Sequence, residues 1–543
     1  MELYEKFIKE ELNSDGTLKG LTFNAPNNFN FAYDVVDEFA KTEPDRKAMV
    51  WVGDDETERI FTFKEISILS NKIANFFTSL GIKKGDRVML ILRRHYEFWL
   101  AIVALHKIGA IAIPATDQLK KKDVVYRIEK AGVSAIICTA DGTISHEVEL
   151  AAEENSVKNL IIAGKKDGWI SFNDAYNCSE TFERVDNDVD DIMLMYFTSG
   201  TTSYPKMAAH TFTYPLAHFV TAKWWHCVQK DGIHFTVAET GWGKAVWGKL
   251  YGQWLCGACI FTYDFSKFDQ DKVLRMIEKY KITTFCAPPT IYRFLIKADL
   301  SHYDLSSLTY ATTAGEAVNP EVVTRFKEAT GLTLMEGFGQ TETTLTVANL
   351  KGMTPKLGSM GKPTPQYKSA LLNADGEKVP NGEVGEICID ISGGKPYGLF
   401  KEYYLSPDIT AEAMHDGYYH TGDMAWSDED GYLYYVGRTD DLIKSSGYRI
   451  GPFEIESVLM EHPSVLECAV TGAPDPVRGQ VVKATIVLAK GYTASEELKK
   501  EIQTYVKNAT APYKYPRIID FVDELPKTIS GKIKRTELRQ KQN

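Results

Sequence analysis

The sequence predicts an α/β protein in two parts: a large amino-terminal part made of two α/β halves and a small β-unit, then a small α+β carboxy-terminal domain. Three observations predict it. Short β-branched runs alternate twice with helix-length segments, the pattern turns β-rich after Gly385, and a compact αβ pattern follows a polar stretch beyond Arg438.

The first half spans residues 87–164, where apolar runs at 88–92, 110–113, 135–138 and 160–163 flank helical stretches at 96–107 and 122–130. Continuous apolar strands separated by helices belong to a parallel sheet covered on both faces. The rhythm returns over 233–313, with strands expected at 233–237, 258–261, 283–287 and 310–313. After Gly385 the turns read Asp416-Gly417-Tyr418-Tyr419 and Asp430-Gly431-Tyr432. Asp-Gly between aromatic and apolar runs is a hairpin signal. The last domain reads as helix 452–462, strands 465–471 and 481–488, helix 495–507 and strand 518–522.

Composition excludes several classes. With 44% hydrophobic and 25% charged residues, the chain has a soluble globular balance and is too long for one core. A net charge of -11 and a pI near 5.6 argue against a nucleic-acid partner, which a basic surface would serve. The apolar run 98–105 is far too short for a membrane span, and the first sixteen residues lack an apolar core, so a cytoplasmic protein is expected. Eight cysteines, mostly in apolar strand contexts, read as reduced and buried. Cys256 and Cys259 form a CxxC, but Leu255, Ala258 and Ile260 around them favour packing over zinc.

The most informative stretch is Tyr196-Phe197-Thr198-Ser199-Gly200-Thr201-Thr202-Ser203-Tyr204-Pro205-Lys206. Hydroxyls, main-chain N–H groups and a lysine suit phosphate oxygens, although a Ser/Thr-rich surface turn has the same composition. It is not a Walker A loop, because Pro205 and not glycine precedes Lys206.

Here the sequence resembles the adenylate-forming superfamily of acyl-CoA synthetases, luciferases and peptide-synthetase adenylation domains. Gly315-Glu316-Ala317, Glu336-Gly337-Phe338-Gly339-Gln340-Thr341-Glu342, Tyr419-His420-Thr421-Gly422-Asp423, Gly437-Arg438-Thr439-Asp440-Asp441, Ser446-Gly447-Tyr448-Arg449 and Leu525-Pro526-Lys527-Thr528-Ile529-Ser530-Gly531-Lys532 follow in the family's order. One departure is Ser203, which stands where the family loop has a second glycine.

The resemblance implies an acetyl-CoA synthetase-like fold with an adenylation domain over 1–437 and a mobile domain over 438–543 hinged at Asp440. It implies ATP and CoA as co-substrates and Mg2+ as cofactor. Thr198, Ser199, Gly200, Thr201, Thr202 and Lys206 would hold phosphates, and Gly315, Glu316, Ala317, Glu336, Gly337 and Phe338 would line the adenine slot. Asp423 would take the ribose hydroxyls, with Arg438 beside it. Thr341 would touch the α-phosphate and Glu342 would hold the metal. Lys532 would be the catalytic lysine of adenylation, since a cation beside the carboxylate and the α-phosphate lowers the repulsion between two anions. Gly447 and Arg449 would face CoA after the small domain turns.

The acyl pocket separates one member from another. Acetyl-CoA synthetases carry a tryptophan where this chain has Gly339, and with Met207 and the Pro288-Pro289-Thr290 turn the chain is most similar to the medium-chain acyl-CoA synthetases. Trp225, Trp242, Lys244, Trp247 and Cys286 are further expected liners, and the tryptophans would shorten the space that Gly339 opens. Lys244 is either a pocket ammonium with a counter-charge or a surface lysine beside the pocket. The expected activity is a two-step acyl-CoA synthesis from a medium-chain, short branched or aryl acid. The alternatives are an acyl-AMP ligase that loads a carrier protein and a non-catalytic acyl-AMP or nucleotide binder.

Overall fold

The computed structural model describes residues 2–198, 204–315, 318, 320–446, 448–527 and 533–540, with the main chain alone at Arg449. Ser199 to Ser203, Glu316, Ala317, Gly447 and Lys532 therefore lie outside the described residues. Among the described residues an eight-stranded sheet runs in the order Glu402–Tyr403, Lys206–Thr211, Ile192–Thr198, Ile111–Pro114, Arg87–Ile91, Val133–Thr139, Asn159–Ala163, Ile170–Ser171. The four strands expected in the first half pair in parallel at its centre.

A nine-stranded sheet is ordered Lys362–Pro363, Leu345–Ala348, Leu334–Gly339, Tyr310–Thr313, Thr284–Ala287, Ile233–Thr236, Cys259–Asp264, Lys47–Gly53, Glu58–Thr62. The four expected strands are present, each within a few residues of its expected bounds. Unexpected is the early hairpin of Lys47–Gly53 and Glu58–Thr62, which joins this second sheet in parallel with Cys259–Asp264 and so threads the start of the chain into the second half. The two halves are interleaved, not consecutive.

Helix Phe63–Ser79 starts on a capping box, with Thr62 accepting from the Glu65 N–H and the Glu65 carboxylate accepting from Thr62. Helix Glu97–Ile108 ends at Gly109 in the left-handed region and is buried on every face. A helix buried all round belongs to the interior of a large protein, and this one packs in the core cluster that takes residues from both sheets. Its Lys107 is fully buried and donates to Asp37 at 2.7 Å and to Asn71 at 2.6 Å, which is what a buried ammonium requires.

The β-unit is Ser369–Leu372, Val384–Asp390, Tyr418–Ser427 and Met414–His415, with Leu433–Arg438 on the free side of Tyr418–Ser427. Its turns use Asp416 and Gly417 at positive φ and Gly431 at φ 80°, as the Asp-Gly signals anticipate. The last sheet comprises Tyr448–Ile450, Ile443–Ser445, Gly479–Leu488, Val465–Asp475 and Ile518–Phe521. Helices Pro452–Glu461 and Glu496–Ala509 share its apolar core through Ile455, Leu459, Ile502 and Val506.

Two contacts tie this small domain to the β-unit. A Cβ on Gly451 would lie 2.3 Å from the Val436 carbonyl, so only glycine allows the helix start that close. The Tyr435 and Phe453 rings meet at 6.0 Å. At the link itself, Asp441 accepts from Arg539 of helix Arg535–Gln540 at 2.8 Å, and Arg535 makes a two-pronged pair with Glu456 at 2.7 and 2.8 Å.

Candidate active site

Strand Leu334–Gly339 is the axis of the site. Side chains alternate across a strand, so Gly337 and Gly339 share one face while Glu336 and Phe338 share the other. On the glycine face a Cβ at Gly337 would lie 2.7 Å from the Trp225 indole, and one at Gly339 would lie 2.4 Å from both the Thr344 carbonyl and Trp247 Cη2. The space that Gly339 leaves is therefore taken by the edge of Trp247, whose Nε1 donates to the Tyr214 hydroxyl at 3.2 Å. Both indoles are buried. On the opposite face Phe338 approaches Tyr435 at 6.2 Å. Glu336 is buried and lines a groove of about 550 Å³ with Val318, Lys327, Asn349 and Ser359. Burial pushes its carboxyl up to about 8 despite the Val318 N–H that it accepts.

The turn after this strand is pinned from three sides. Gln340 donates to the Thr421 carbonyl at 2.8 Å and to Asp423, and accepts from the Tyr419 hydroxyl at 2.7 Å. The Thr341 carbonyl can only accept, so the His210 Nε2 that meets it at 2.8 Å carries the proton. Burial holds that imidazole down to about 4, which keeps it neutral. Glu342 accepts from the Tyr403 hydroxyl at 2.9 Å, and burial together with that carboxylate lifts the Tyr403 phenol well above its usual range.

Asp423 stands directly opposite Arg438 on the paired strands Tyr418–Ser427 and Leu433–Arg438. Its carboxylate, 5% exposed, accepts from Tyr435 at 2.9 Å and from Arg438 at 3.3 Å. Burial alone would lower the Arg438 guanidinium, but Asp423 and Asp440 outweigh it and hold the charge firmly in place. Gly422 has φ 70°, which favours glycine, and a Cβ there would press on the guanidinium at 2.7 Å.

Two antiparallel strands of a β-hairpin flank the hydroxyl-rich stretch, with Thr198 paired to Lys206. Tyr126 supports the hairpin by stacking on Tyr204 at 5.0 Å and donating to the Pro205 carbonyl at 3.0 Å. The Lys206 ammonium lies 4.9 Å from the centre of the Tyr403 ring, so Lys206, Tyr403 and Glu342 form one continuous row.

Of the remaining expected liners, Trp242 precedes helix Gly243–Lys249, and a Cβ on Gly243 would sit 3.9 Å from the Thr341 methyl. Lys244 donates to the Ala314 carbonyl beside Gly315, which makes it a strut between this helix and the strand end, not a surface lysine. Cys286 is buried inside strand Thr284–Ala287. All eight cysteines are free thiols, Cys256 and Cys259 included.

Around the turn after strand Leu334–Gly339 the structure gathers Thr341 and Glu342 with Lys206, through Tyr403, and with Asp423 and Arg438 of the β-unit, through Gln340; Trp225 and Trp247 lie against the glycine face of that strand. Four residues in this network had not been singled out from sequence: Gln340, His210, Tyr403 and Tyr435. Gln340 lies inside a quoted motif and was legible. His210, Tyr403 and Tyr435 act through hydrogen bonds to distant segments, which no local pattern announces.

Family comparison agrees with this geometry. The model of the AMP-binding enzyme family matches residues 36–404, and that of the AMP-binding enzyme C-terminal domain matches 454–532. The chain belongs to the AMP-binding enzyme family. Among its relatives, the acyl-coenzyme A synthetase ACSM3, mitochondrial, of Rattus norvegicus is 43% identical over 95% of this chain and 91% of its own length. The acyl-coenzyme A synthetase ACSM4, mitochondrial, of Homo sapiens is 42% identical over 95% and 90%. The solved anthranilate CoA ligase AuaEII, in complex with anthranoyl-AMP, superposes with a TM-score of 0.85 at 29% identity, covering 96% of this chain and 98% of its own. A benzoate CoA ligase from Burkholderia xenovorans LB400 does so with 0.81 at 26%, covering 94% and 100%.

This AMP-binding enzyme is an acid–thiol ligase: it joins a carboxylic acid to AMP with release of pyrophosphate and passes the acyl group to CoA. ATP and CoA are its co-substrates. Among the described residues no helix is long and apolar enough to cross a membrane. The expectation of a cytoplasmic protein does not stand, because these relatives are named mitochondrial. It rested on charge and on the absence of an apolar run, which speak to membrane spanning and not to compartment.

Proposed function

We propose that the acid activated by this AMP-forming acyl-coenzyme A synthetase is a medium-chain, short branched or aryl carboxylic acid, and not acetate or a long fatty acid. The observation that carries this reading is the pair of indoles set against two glycines: Trp225 on Gly337 and Trp247 on Gly339. Where the strand lacks side chains the two indoles lie directly against it and put flat aromatic walls on this face. Apolar walls of this kind fit a ring or a branch better than a long flexible chain. The likeness to ligases whose names specify anthranilate and benzoate supports the same class.

In the first step Asp423 accepts from the ribose hydroxyls, Arg438 fixes that carboxylate, and the Thr198 to Lys206 hairpin takes the terminal phosphates. Glu336 and Phe338 face the adenine, and Gly315, Glu316 and Ala317 are assigned to the same slot. Thr341, whose main chain His210 holds, turns its hydroxyl toward the α-phosphate. The donor set fits Mg2+: Glu342 is a hard carboxylate steadied by Tyr403 next to the phosphate hairpin, and a hard cation favours carboxylate, phosphate and water oxygens. When bound, the ion neutralises phosphate charge. Lys532 arrives from the carboxy-terminal segment to let the substrate carboxylate meet the α-phosphorus, which places residues 1–437 and 438–543 in separate roles.

In the second step the small domain turns at Asp440 and presents Gly447 and Arg449 to CoA. The contact of Arg438 with Asp440 sits on that link, and Arg539 anchors Asp441 directly beyond it. A pyrophosphate-release assay over acids of graded length, branching and aromaticity, with and without CoA, tests the reading. Highest kcat/KM is expected for a medium-chain, short branched or aryl acid; a maximum at acetate or at a long-chain acid refutes it.

A further inference from the structure

Next to the nucleotide side of the site, three metal-ligating side chains of different kinds converge. Glu386 and Cys388 lie two residues apart on strand Val384–Asp390, and His420 stands directly opposite Cys388 on the neighbouring strand. The ligand atoms of all three lie within 4.8 Å of one another. His420 Nδ1 is 3.5 Å from Cys388 Sγ and 3.1 Å from Glu386 Oε2.

Those lengths match the edges of a zinc tetrahedron. With Zn–S of about 2.3 Å and Zn–N or Zn–O of about 2.0–2.1 Å, tetrahedral angles put N and S about 3.5 Å apart and N and O about 3.3 Å apart. The rest of the setting agrees. Cys388 is fully buried, whereas Glu386 and His420 are 21% and 19% exposed, which leaves a side through which an ion and a water can enter. The His415 ring stacks on His420 at 3.9 Å and 10°, which fixes the imidazole plane.

We infer that Glu386, Cys388 and His420 form a binding site for a borderline-soft divalent cation, Zn2+, separate from any Mg2+ at Glu342. The ligands would be Glu386 Oε2, the Cys388 thiolate and the lone pair of His420 Nδ1, with water in the fourth position. Binding displaces the thiol proton to solvent, and the imidazole keeps its proton on Nε2. A thiol and an imidazole are poor ligands for Mg2+ and good ones for Zn2+ or Co2+. The site is coupled to the nucleotide through one bond. Glu386 Oε1 accepts from the Gly422 N–H at 2.7 Å, one residue before Asp423, and this oxygen stays in place while Oε2 takes the metal.

The test uses the full-length enzyme freed of metal with a chelator and titrated with Co2+ alone. One equivalent should give an intense near-ultraviolet thiolate-to-cobalt band, bleached by one equivalent of Zn2+. The band should vanish in Cys388→Ser, persist in the control Cys468→Ser, and need at least tenfold more Co2+ in Glu386→Gln. If Cys388→Ser fails to fold, the zinc absorption-edge spectrum of the wild-type protein decides, with one sulfur and three nitrogen or oxygen neighbours expected. A sulfur-free shell, the lack of stoichiometric binding, or a band that survives in Cys388→Ser overturns the site.

Discussion

Adding a single methyl at Gly339 is the sharpest probe of the acyl pocket. In Gly339→Ala the new Cβ would lie 2.4 Å from the Thr344 carbonyl oxygen and 2.4 Å from Trp247 Cη2, both inside any permitted contact. The main chain of Thr344 belongs to a tight turn and cannot retreat far, since the Gln340 N–H donates to the Thr343 hydroxyl and the Thr344 N–H donates to the Tyr367 hydroxyl. The indole must therefore move, and the room available to it is the acyl space. Overpacking of this kind costs about 1–3 kcal/mol. If most of it falls on the substrate complex, kcat/KM for the best acid drops about tenfold to a hundredfold, at about 1.4 kcal/mol per factor of ten. The KM for ATP should stay within about twofold, because Glu336 and Phe338 face the other way along the same strand. Trp247→Phe in the same chain should recover the larger acids by removing the clashing ring edge, and alone it should extend the range upward. The assay is pyrophosphate release with acid and ATP varied separately, beside a thermal melt of each variant. An unchanged acid profile with only a lower Tm, or a loss that appears in ATP and not in the acid, refutes the placement of Trp247 in the pocket.

Lys532→Ala is expected to abolish adenylation while largely sparing thioester formation from supplied acyl-AMP, and equal loss of both in single-turnover assays would reject its role. Asp440→Pro, which restricts φ, should retain pyrophosphate exchange and lose thioester formation; two unchanged half-reactions would remove the hinge. Arg539→Ala frees Asp441 from its 2.8 Å partner and should alter the ratio of the two half-reactions several-fold, which a stopped-flow comparison with wild type reads. Glu336→Gln concerns pH: the folded carboxyl titrates near 8 against an ordinary value of 4.5, so the folded state binds more protons than the unfolded one between them. Stability present at low pH is then lost as pH rises through that window, with a slope of up to about 1.4 kcal/mol per pH unit. Gln removes that slope, and parallel Tm-against-pH curves for the two proteins would contradict it.

Much of this was legible because the information is local. Residues 87–164 and 233–313 carry apolar runs at strand length with helices between them, and the parallel strands stand where those runs are. The hairpin at Lys47–Gly53 was not legible as part of the second sheet, because its partner Cys259–Asp264 lies some two hundred residues later and parallel pairing leaves no turn signal. The site shows the same division. Asp423 and Arg438 were readable from their motifs, but their direct opposition on paired strands was not. The Tyr435 hydroxyl that completes the carboxylate's shell comes from a Gly-aromatic run that reads only as a hairpin.

Gly339 shows how the consequence of a motif position depends on a distant segment, as the expected shortening by tryptophans implies. Its lack of a side chain does remove an indole from the strand, yet Trp247, ninety-two positions earlier, occupies the vacated edge. Pocket depth is then a property of the pair, set by which of the two segments supplies the aromatic wall. That arrangement keeps the strand slim, and a slim strand matters here because its opposite face carries Glu336 and Phe338. A tryptophan on the strand would have to share a backbone with the nucleotide groups, so that any change of acyl wall would press on them. Supplied from helix Gly243–Lys249 instead, the wall can change without disturbing the other face. On the proposed reading of the pocket, acid preference and ATP binding are set by different segments that meet at a single strand.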